Sequence, residues 1–378
     1  MSNIKNQTFY ISVLLFLTLI VAASSFYKLD SRPLWGDEQR TVTYYAKKPF
    51  RVTNGDPPLF PLLIHHINKY TSELFWMRFL NALALIASAL LIAIGCREWF
   101  GEKTALCAAF AFATSFLVIS RGQWVRPYAL FTFLILLSYI SFWKLLKTAG
   151  IKWMIINIIS TVLALYTHYS TFIIVINQFV FGSIYALTLP QNKYKMLIRV
   201  TSITGIITLC SVSWYYLLFK NISRWYSMNV GYPPKEFNIA IFVYHVIVKV
   251  FPVKNPETIH IHSVLVLFIL AAGIILSLRK KKCFSILLTL SWITASAGFL
   301  WINLERNRIF MAQRYYMSFV PALYLLIFLG IFEISDLISG KVKTKYKTVV
   351  SYSTFSFITV YIFLPSLEQL YNYYTIPY

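Results

Sequence analysis

The chain has 378 residues, of which 58% are hydrophobic and only 13% charged. A soluble domain carries about a quarter charged residues, so this composition excludes a globular unit standing in water. The formal net charge of +22 would suit nucleic acid. Its lysines, however, sit in short links between apolar runs and form no basic face on soluble structure, which excludes nucleic acid as a partner.

In chain order the apolar runs are about twenty residues long, enough to cross a hydrocarbon core of roughly 30 Å. They predict spans near 8–26, 75–95, 104–120, 128–146, 153–169, 171–188, 197–219, 262–278, 284–302, 316–335 and 348–365. The first run, Tyr10 to Ser25, is long, follows Lys5 as its single positive charge and precedes many more spans, so it reads as an uncleaved crossing rather than a signal peptide. Basic clusters recur at every second link: Lys144/Lys147/Lys152, Lys193/Lys195/Arg199, Arg279–Lys282 and Lys341/Lys343/Lys345/Lys347. This positive-inside pattern puts those links and the N-terminus in the cytoplasm, and the tail after about eleven crossings outside. Cys96, Cys107, Cys210 and Cys283 then fall in spans or inner links, so no disulfide framework is expected.

The long links lie on the outer side, from Tyr27 to Thr71 and from Lys220 to His260. Asp37 to Lys48 follows Gly36 and carries carboxylates in its first turn, where the helix dipole favours them. Pro57-Pro58 open an amphipathic stretch over Leu59–Tyr70. The apolar segment from Asn238 to Phe251 is too short to span and is expected to lie in the interface. No repeat or soluble domain is evident, so residues 1–378 read as one membrane-embedded, all-α domain with no C-terminal soluble domain.

The chemistry-bearing residues gather on the same side. The chain has 13 acidic residues, and Asp37, Glu38 and Asp56 among them fall in the first outer loop. Helix capping alone would account for one of the adjacent pair. Arginines favour the outer side, against the topology signal, and their planar fork suits phosphate oxygens. Arg32, Arg51 and Arg224 are expected to reach lipid headgroups. Arg78, Arg126 and Arg314 instead lie at span ends among aromatic and apolar neighbours (FWMRFL, QWVRPYAL, AQRYYM), where an unpaired charge is costly. His168 sits at the outer end of the fifth span and His245 in the short apolar outer helix; a histidine so placed is more often simply hydrogen-bonded than catalytic. A carboxylate here can take a proton from an attacking hydroxyl, and arginines can stabilise a departing phosphate. On these residues alone, a transporter for an anionic substrate stays open.

The order of these residues resembles the GT-C membrane glycosyltransferases, in particular their protein-O-mannosyltransferase-like and lipid A aminoarabinose-transferase-like branches. The resemblance is carried by Asp37-Glu38 after the first span, Asp-Pro-Pro-Leu-Phe at 56–60, Arg78, Arg126-Pro127-Tyr128, Tyr166-Thr167-His168-Tyr169 and Arg314-Tyr315. It implies a polyprenyl-phosphate sugar donor, transfer with inversion and a cavity facing away from the cytoplasm. It further implies Asp37 as catalytic base with Glu38 beside it, and Arg126, Arg314 and Arg78 as holders of the donor phosphate. Asp56, Tyr128, His168 and Tyr315 would bind substrate, and Asp56 with His245 would hold a divalent metal if one is used; metal dependence stays open. The long acceptor-recognition insertions of protein mannosyltransferases are missing, which favours a glycolipid or surface polysaccharide acceptor. The expectation is therefore a glycosyltransferase of the cytoplasmic membrane, with membrane lipids around it. A flippase or transporter for a lipid-linked substrate is the alternative, weakened by the lack of an inverted repeat.

Overall fold

A computed structural model describes residues 2–47, 57–228, 239–253, 256–279, 283–307 and 313–375. Every regular element among them is helical, and nine helices are long and apolar enough to cross a membrane, or ten when one bent pair counts as a single span. In chain order the apolar helices are α1 (Ser2–Phe26), α4 (Leu74–Leu90), α5 (Glu102–Thr114) with α6 (Phe116–Gly122), α7 (Tyr128–Thr148), α8 (Ile151–Leu165), α9 (Thr171–Thr188), α10 (Lys193–Met228), α12 (Ile259–Arg279), α13 (Cys283–Asn307), α14 (Val320–Ser339) and α15 (Thr344–Thr375). Three short helices cap one end: α2 (Gly36–Arg40), α3 (Leu59–Tyr70) and α11 (Ile239–Val250). Each predicted apolar run thus has its helix. The fifth is shorter than predicted: α8 has only 15 residues, because the chain turns at Tyr166 instead of running on to Tyr169.

Two helices form the hub. In α7 and α14, 83% and 78% of the apolar window is buried inside the protein, against 17% in α1 and 11% in α15. Apolar side chains gain little from leaving lipid for protein, so close backbone approach and internal hydrogen bonds hold such a bundle together. Gly273 of α12 and Gly330 of α14 supply the approach: a methyl group added at Gly273 would lie 2.5 Å from the Gly330 Cα. Hydrogen bonds join α7, α8 and α9 through Ser138, Asn157, Thr161 and Gln178. Asn157 donates to the Ser138 carbonyl at 2.9 Å and to Gln178 at 3.2 Å, and Gln178 donates to the Ser138 hydroxyl at 2.8 Å.

The third predicted span, 104–120, is broken rather than straight. Its halves α5 and α6 meet at 55° around Ser115. Backbone groups freed inside a bilayer need partners, and side chains from distant helices provide them. The Phe116 N–H donates to Ser366 Oγ of α15 at 3.0 Å, and Tyr324 of α14 donates to Ser115 Oγ at 2.8 Å. The break turns α6 so that its C-terminal end, Arg121 to Gln123, reaches the end of the bundle that carries the short helices.

Candidate active site

The loop after α1 places two adjacent carboxylates in opposite directions. α2 starts at Gly36, with Asp37 and Glu38 in its first turn. Glu38 turns inward and reaches back to the Trp35 N–H at 3.0 Å, as the third residue of a capped helix does. Its other oxygen accepts from the Val125 N–H at 2.7 Å and from Arg78 Nη2 at 3.1 Å. Glu38 and Arg78 are both shut off from solvent, with 1% and 2% of their side chains exposed. Arg78 Nη1 donates in addition to the Leu29 carbonyl at 2.8 Å and the Arg32 carbonyl at 3.2 Å. The expectation that Arg78 meets a donor phosphate therefore fails on access: its guanidinium is committed to Glu38 and two backbone carbonyls. Glu38 ties the first loop to the 124–126 turn.

Asp37 faces the other way and keeps 38% of its side chain exposed. Its carboxylate accepts from Arg314 Nη1 at 2.6 Å, across 277 residues of sequence. Arg314 lies in the helical turn Gln313–Ser318, just ahead of α14. Beyond the pair stands an indole stack, Trp35 on Trp124 with centroids 4.9 Å apart. The Arg314 guanidinium sits 5.2 Å from the Trp35 ring and that of Arg121 sits 4.3 Å from Trp124. After Arg40 the backbone widens into one π-helical turn, Thr41–Tyr45, where Thr41 Oγ1 accepts from Arg126 Nη1 at 3.3 Å.

The remaining members come from the starts and ends of spans. Arg126 and Tyr128 sit where α7 begins, on a turn whose carbonyl at Arg126 is held by Asn81 of α4 at 2.8 Å. His168 lies in the link between α8 and α9, and this link also receives the start of α3, whose Leu59 N–H donates to the Tyr166 carbonyl at 2.8 Å. Tyr128, His168 and Tyr315 form a ring cluster with centroids 6.0 to 6.1 Å apart. Phe131 and Tyr169 stack on the imidazole at 4.7 and 4.6 Å. The Ser170 N–H donates to His168 Nδ1 at 3.2 Å, and the Ser170 hydroxyl lies 2.7 Å from the same atom. An amide can only donate, so Nδ1 carries the lone pair and the ring proton of the neutral imidazole sits on Nε2. Burial, reinforced by the positive charges of Arg126 and Arg314, pushes the His168 pKa far below the usual histidine value. The imidazole is therefore a neutral hydrogen-bond donor.

The predicted members Asp37, Arg126, Tyr128, His168, Arg314 and Tyr315 thus come together at one end of the bundle, from four separate stretches of chain. Asp56 lies outside the described residues. His245 Nδ1 lies 2.8 Å from the Tyr316 hydroxyl, and burial with Lys249 nearby lowers its pKa. Among the described residues no three His, Cys, Asp or Glu side chains converge as metal ligands, and Asp37, the accessible carboxylate, is matched to a guanidinium. No step below passes through a metal. Sequence reasoning missed Thr41, Asn81 and the Trp35–Trp124 stack. Asn81 had a readable signal, an amide inside the apolar run LFWMRFLNALALI.

No family model matches the sequence, and no curated protein does. Solved structures do. The oligosaccharyltransferase AglB of Archaeoglobus fulgidus, in complex with an inhibitory peptide and a dolichol-phosphate, superposes with a TM-score of 0.61 over 97% of this chain and 56% of its own, at 15% identity. An oligosaccharyltransferase of Archaeoglobus fulgidus in complex with Zn and sulfate gives 0.61 over 95% and 52%, at 16% identity. ArnT of Cupriavidus metallidurans bound to undecaprenyl phosphate gives 0.62 over 98% and 78%, at 13% identity. The chain spans about half the length of each archaeal enzyme. The chain thus shares the fold of the archaeal oligosaccharyltransferase and of ArnT.

Proposed function

We propose that this multi-pass membrane protein is a glycosyltransferase. It moves a sugar from a polyprenyl-phosphate carrier to a hydroxyl of a glycolipid or polysaccharide on the outer face of the cytoplasmic membrane. The observation that carries the reading is the exposed Asp37 carboxylate, set 2.6 Å from Arg314 in a site that also holds Arg126 and a neutral His168. The relatives of this fold whose structures hold dolichol-phosphate or undecaprenyl phosphate support a lipid phosphate as the carrier.

In this reading Asp37 accepts the proton of the attacking hydroxyl as its oxygen bonds to the anomeric carbon. The bond from that carbon to the phosphate oxygen breaks on the opposite face, so the configuration inverts. The electron pair leaves on the carrier phosphate, so the departing oxygen needs no proton. Arg126 and Arg314 offset the growing negative charge, and His168 Nε2–H donates to a phosphate oxygen without competing for the proton. Tyr128 and Tyr315 pack beside His168 and line the substrate site. Arg314 sits between base and phosphate, so its bond to Asp37 exchanges for one to the donor when the donor enters. Glu38 and Arg78 stay outside the chemistry and hold Asp37 in place.

The test is transfer by the purified protein in lipid from a panel of radiolabelled polyprenyl-phosphate sugars, with Asp37→Asn alongside. Label reaching an acceptor with the wild type alone supports the reading. No transfer from any donor, with equal donor binding by both proteins, overturns it in favour of a lipid-linked-substrate transporter.

A further inference from the structure

The last helix ends against the loop after α1. Gln123, at the end of α6, is the joint: its Nε2 faces the carbonyls of Ser25 at 3.0 Å and Tyr27 at 3.2 Å, and its Oε1 accepts from the Tyr373 hydroxyl at 3.1 Å. Carbonyls only accept and a phenol can donate, so the amide orientation is fixed. Tyr374 donates to the Ser24 carbonyl, and its ring meets the Tyr27 ring edge-on at 5.0 Å. Two cations of the loop reach back to the helix end: Lys28 Nζ donates to the Tyr374 carbonyl at 2.8 Å and Arg32 Nη2 to the Tyr373 carbonyl.

An independent observation shows that this loop needs support. Lys28 has φ 52°, left-handed backbone that a lysine rarely adopts. Such a residue persists only where its surroundings over-determine it, and it relaxes when they are removed. The turn after Lys28 presents the Leu29 and Arg32 carbonyls that take both bonds of Arg78 Nη1, and Arg78 Nη2 holds Glu38 next to Asp37. An unbroken series of contacts thus runs from Tyr373 and Tyr374 through the 27–32 turn to the carboxylate that faces the site.

We infer that the last turn of α15 is a clasp that positions Asp37, and that Tyr373, Tyr374 and Gln123 are positioning residues for catalysis without contact to the substrates. The inference rests on the glycosyltransferase reading for its kinetic consequence. Its structural consequence, order in residues 27–40, stands apart from that reading. Removing the two hydroxyls keeps the rings packed and loosens the loop, so the base loses its alignment while Arg126, Arg314 and His168 stay in place to bind the donor. Misalignment of a catalytic group lowers turnover steeply.

The experiment compares wild type, Tyr373→Phe/Tyr374→Phe and Gln178→Leu, the last disturbing the remote network between α7, α8 and α9. Each is purified in lipid and measured for amide hydrogen exchange, for kcat and for donor KM. The clasp variant is expected to lose protection over residues 27–40 alone and to lose kcat about tenfold, with donor KM within about twofold of wild type. Gln178→Leu should lower thermal stability and leave both readouts near wild type. If the double variant fails to fold, Tyr373→Phe alone gives the same pattern at smaller amplitude. Unchanged protection at 27–40 overturns the clasp whether or not transfer is seen. So does a fall in kcat no larger than that of Gln178→Leu at matched stability. A wild type without transfer defeats the enzymatic reading, and exchange then decides the clasp alone.

Discussion

Asp37 and Glu38 are neighbours in sequence, each faces an arginine, and their two pairs are unlike. Glu38 and Arg78 are closed off from solvent, with both carboxylate oxygens used and the guanidinium on three separate partners. Asp37 and Arg314 share one short bond at an open surface. A buried pair is a poor reagent, because moving either charge leaves the other stranded in a medium that cannot solvate it. A half-open pair exchanges partners at little cost. One helical turn therefore yields a fixed strut and a free carboxylate, separated by which face of α2 each residue occupies.

The comparison breaks most readily at its exposed member. Asp37→Asn keeps shape and loses the base, so transfer should fall by about 10²- to 10⁴-fold with the unfolding midpoint unchanged. Steady-state rates with a thermal melt on the same sample check this. Arg126→Ala and Arg314→Ala should each lower turnover by about 10²- to 10³-fold, the scale for losing one donor to a developing oxyanion. A guanidinium supplied in solution should restore part of the rate if charge on the phosphate is what was lost.

The strut should respond in stability. Arg78→Met strands the Glu38 carboxylate and should cost about 3–5 kcal/mol, and Glu38→Gln/Arg78→Met should cost less than the two single changes together. Urea or thermal unfolding in detergent reads this coupling. Equal and additive effects on rate, without loss of stability, would place Arg78 back at the phosphate.

His168 gives a smaller, signed prediction. Its folded pKa is lowered, so the unfolded chain binds the extra proton, and stability should fall as pH drops below about 6.5, the ordinary histidine value. The folded imidazole stays neutral throughout, so the pH–rate profile of the wild type should show no limb near 6.5 that disappears in His168→Gln. The smallest effect is expected at the opposite end of the bundle. There Lys144 meets Glu98 at an exposed site, and Glu98→Gln should change stability by no more than about 1 kcal/mol.

Much of the fold was legible because span length follows from bilayer thickness and composition. Each predicted run became a helix or, at Ser115, a bent pair, and the short helices at Leu59–Tyr70 and Ile239–Val250 lie within a residue of their expected bounds. Asp37, Arg126, Tyr128, His168, Arg314 and Tyr315 stood out as costly or polar residues at span ends of one side, and they do converge. The break at Ser115 was not legible, because the groups that satisfy it, Tyr324 and Ser366, lie more than two hundred residues away.

The sequence by itself determined that the chain lives in a membrane, where its long apolar helices fall and that its rare charges gather at their ends. Hydrophobic run length and charge placement are local properties and do not depend on which helices pack together. Only the tertiary structure decided which carboxylate stays open, that Arg78 is a strut, that His168 is a neutral donor and that the last helix closes on the first loop. Each of these depends on desolvation and hydrogen-bond partners brought from remote segments, and burial is a property of the packed bundle rather than of the residue.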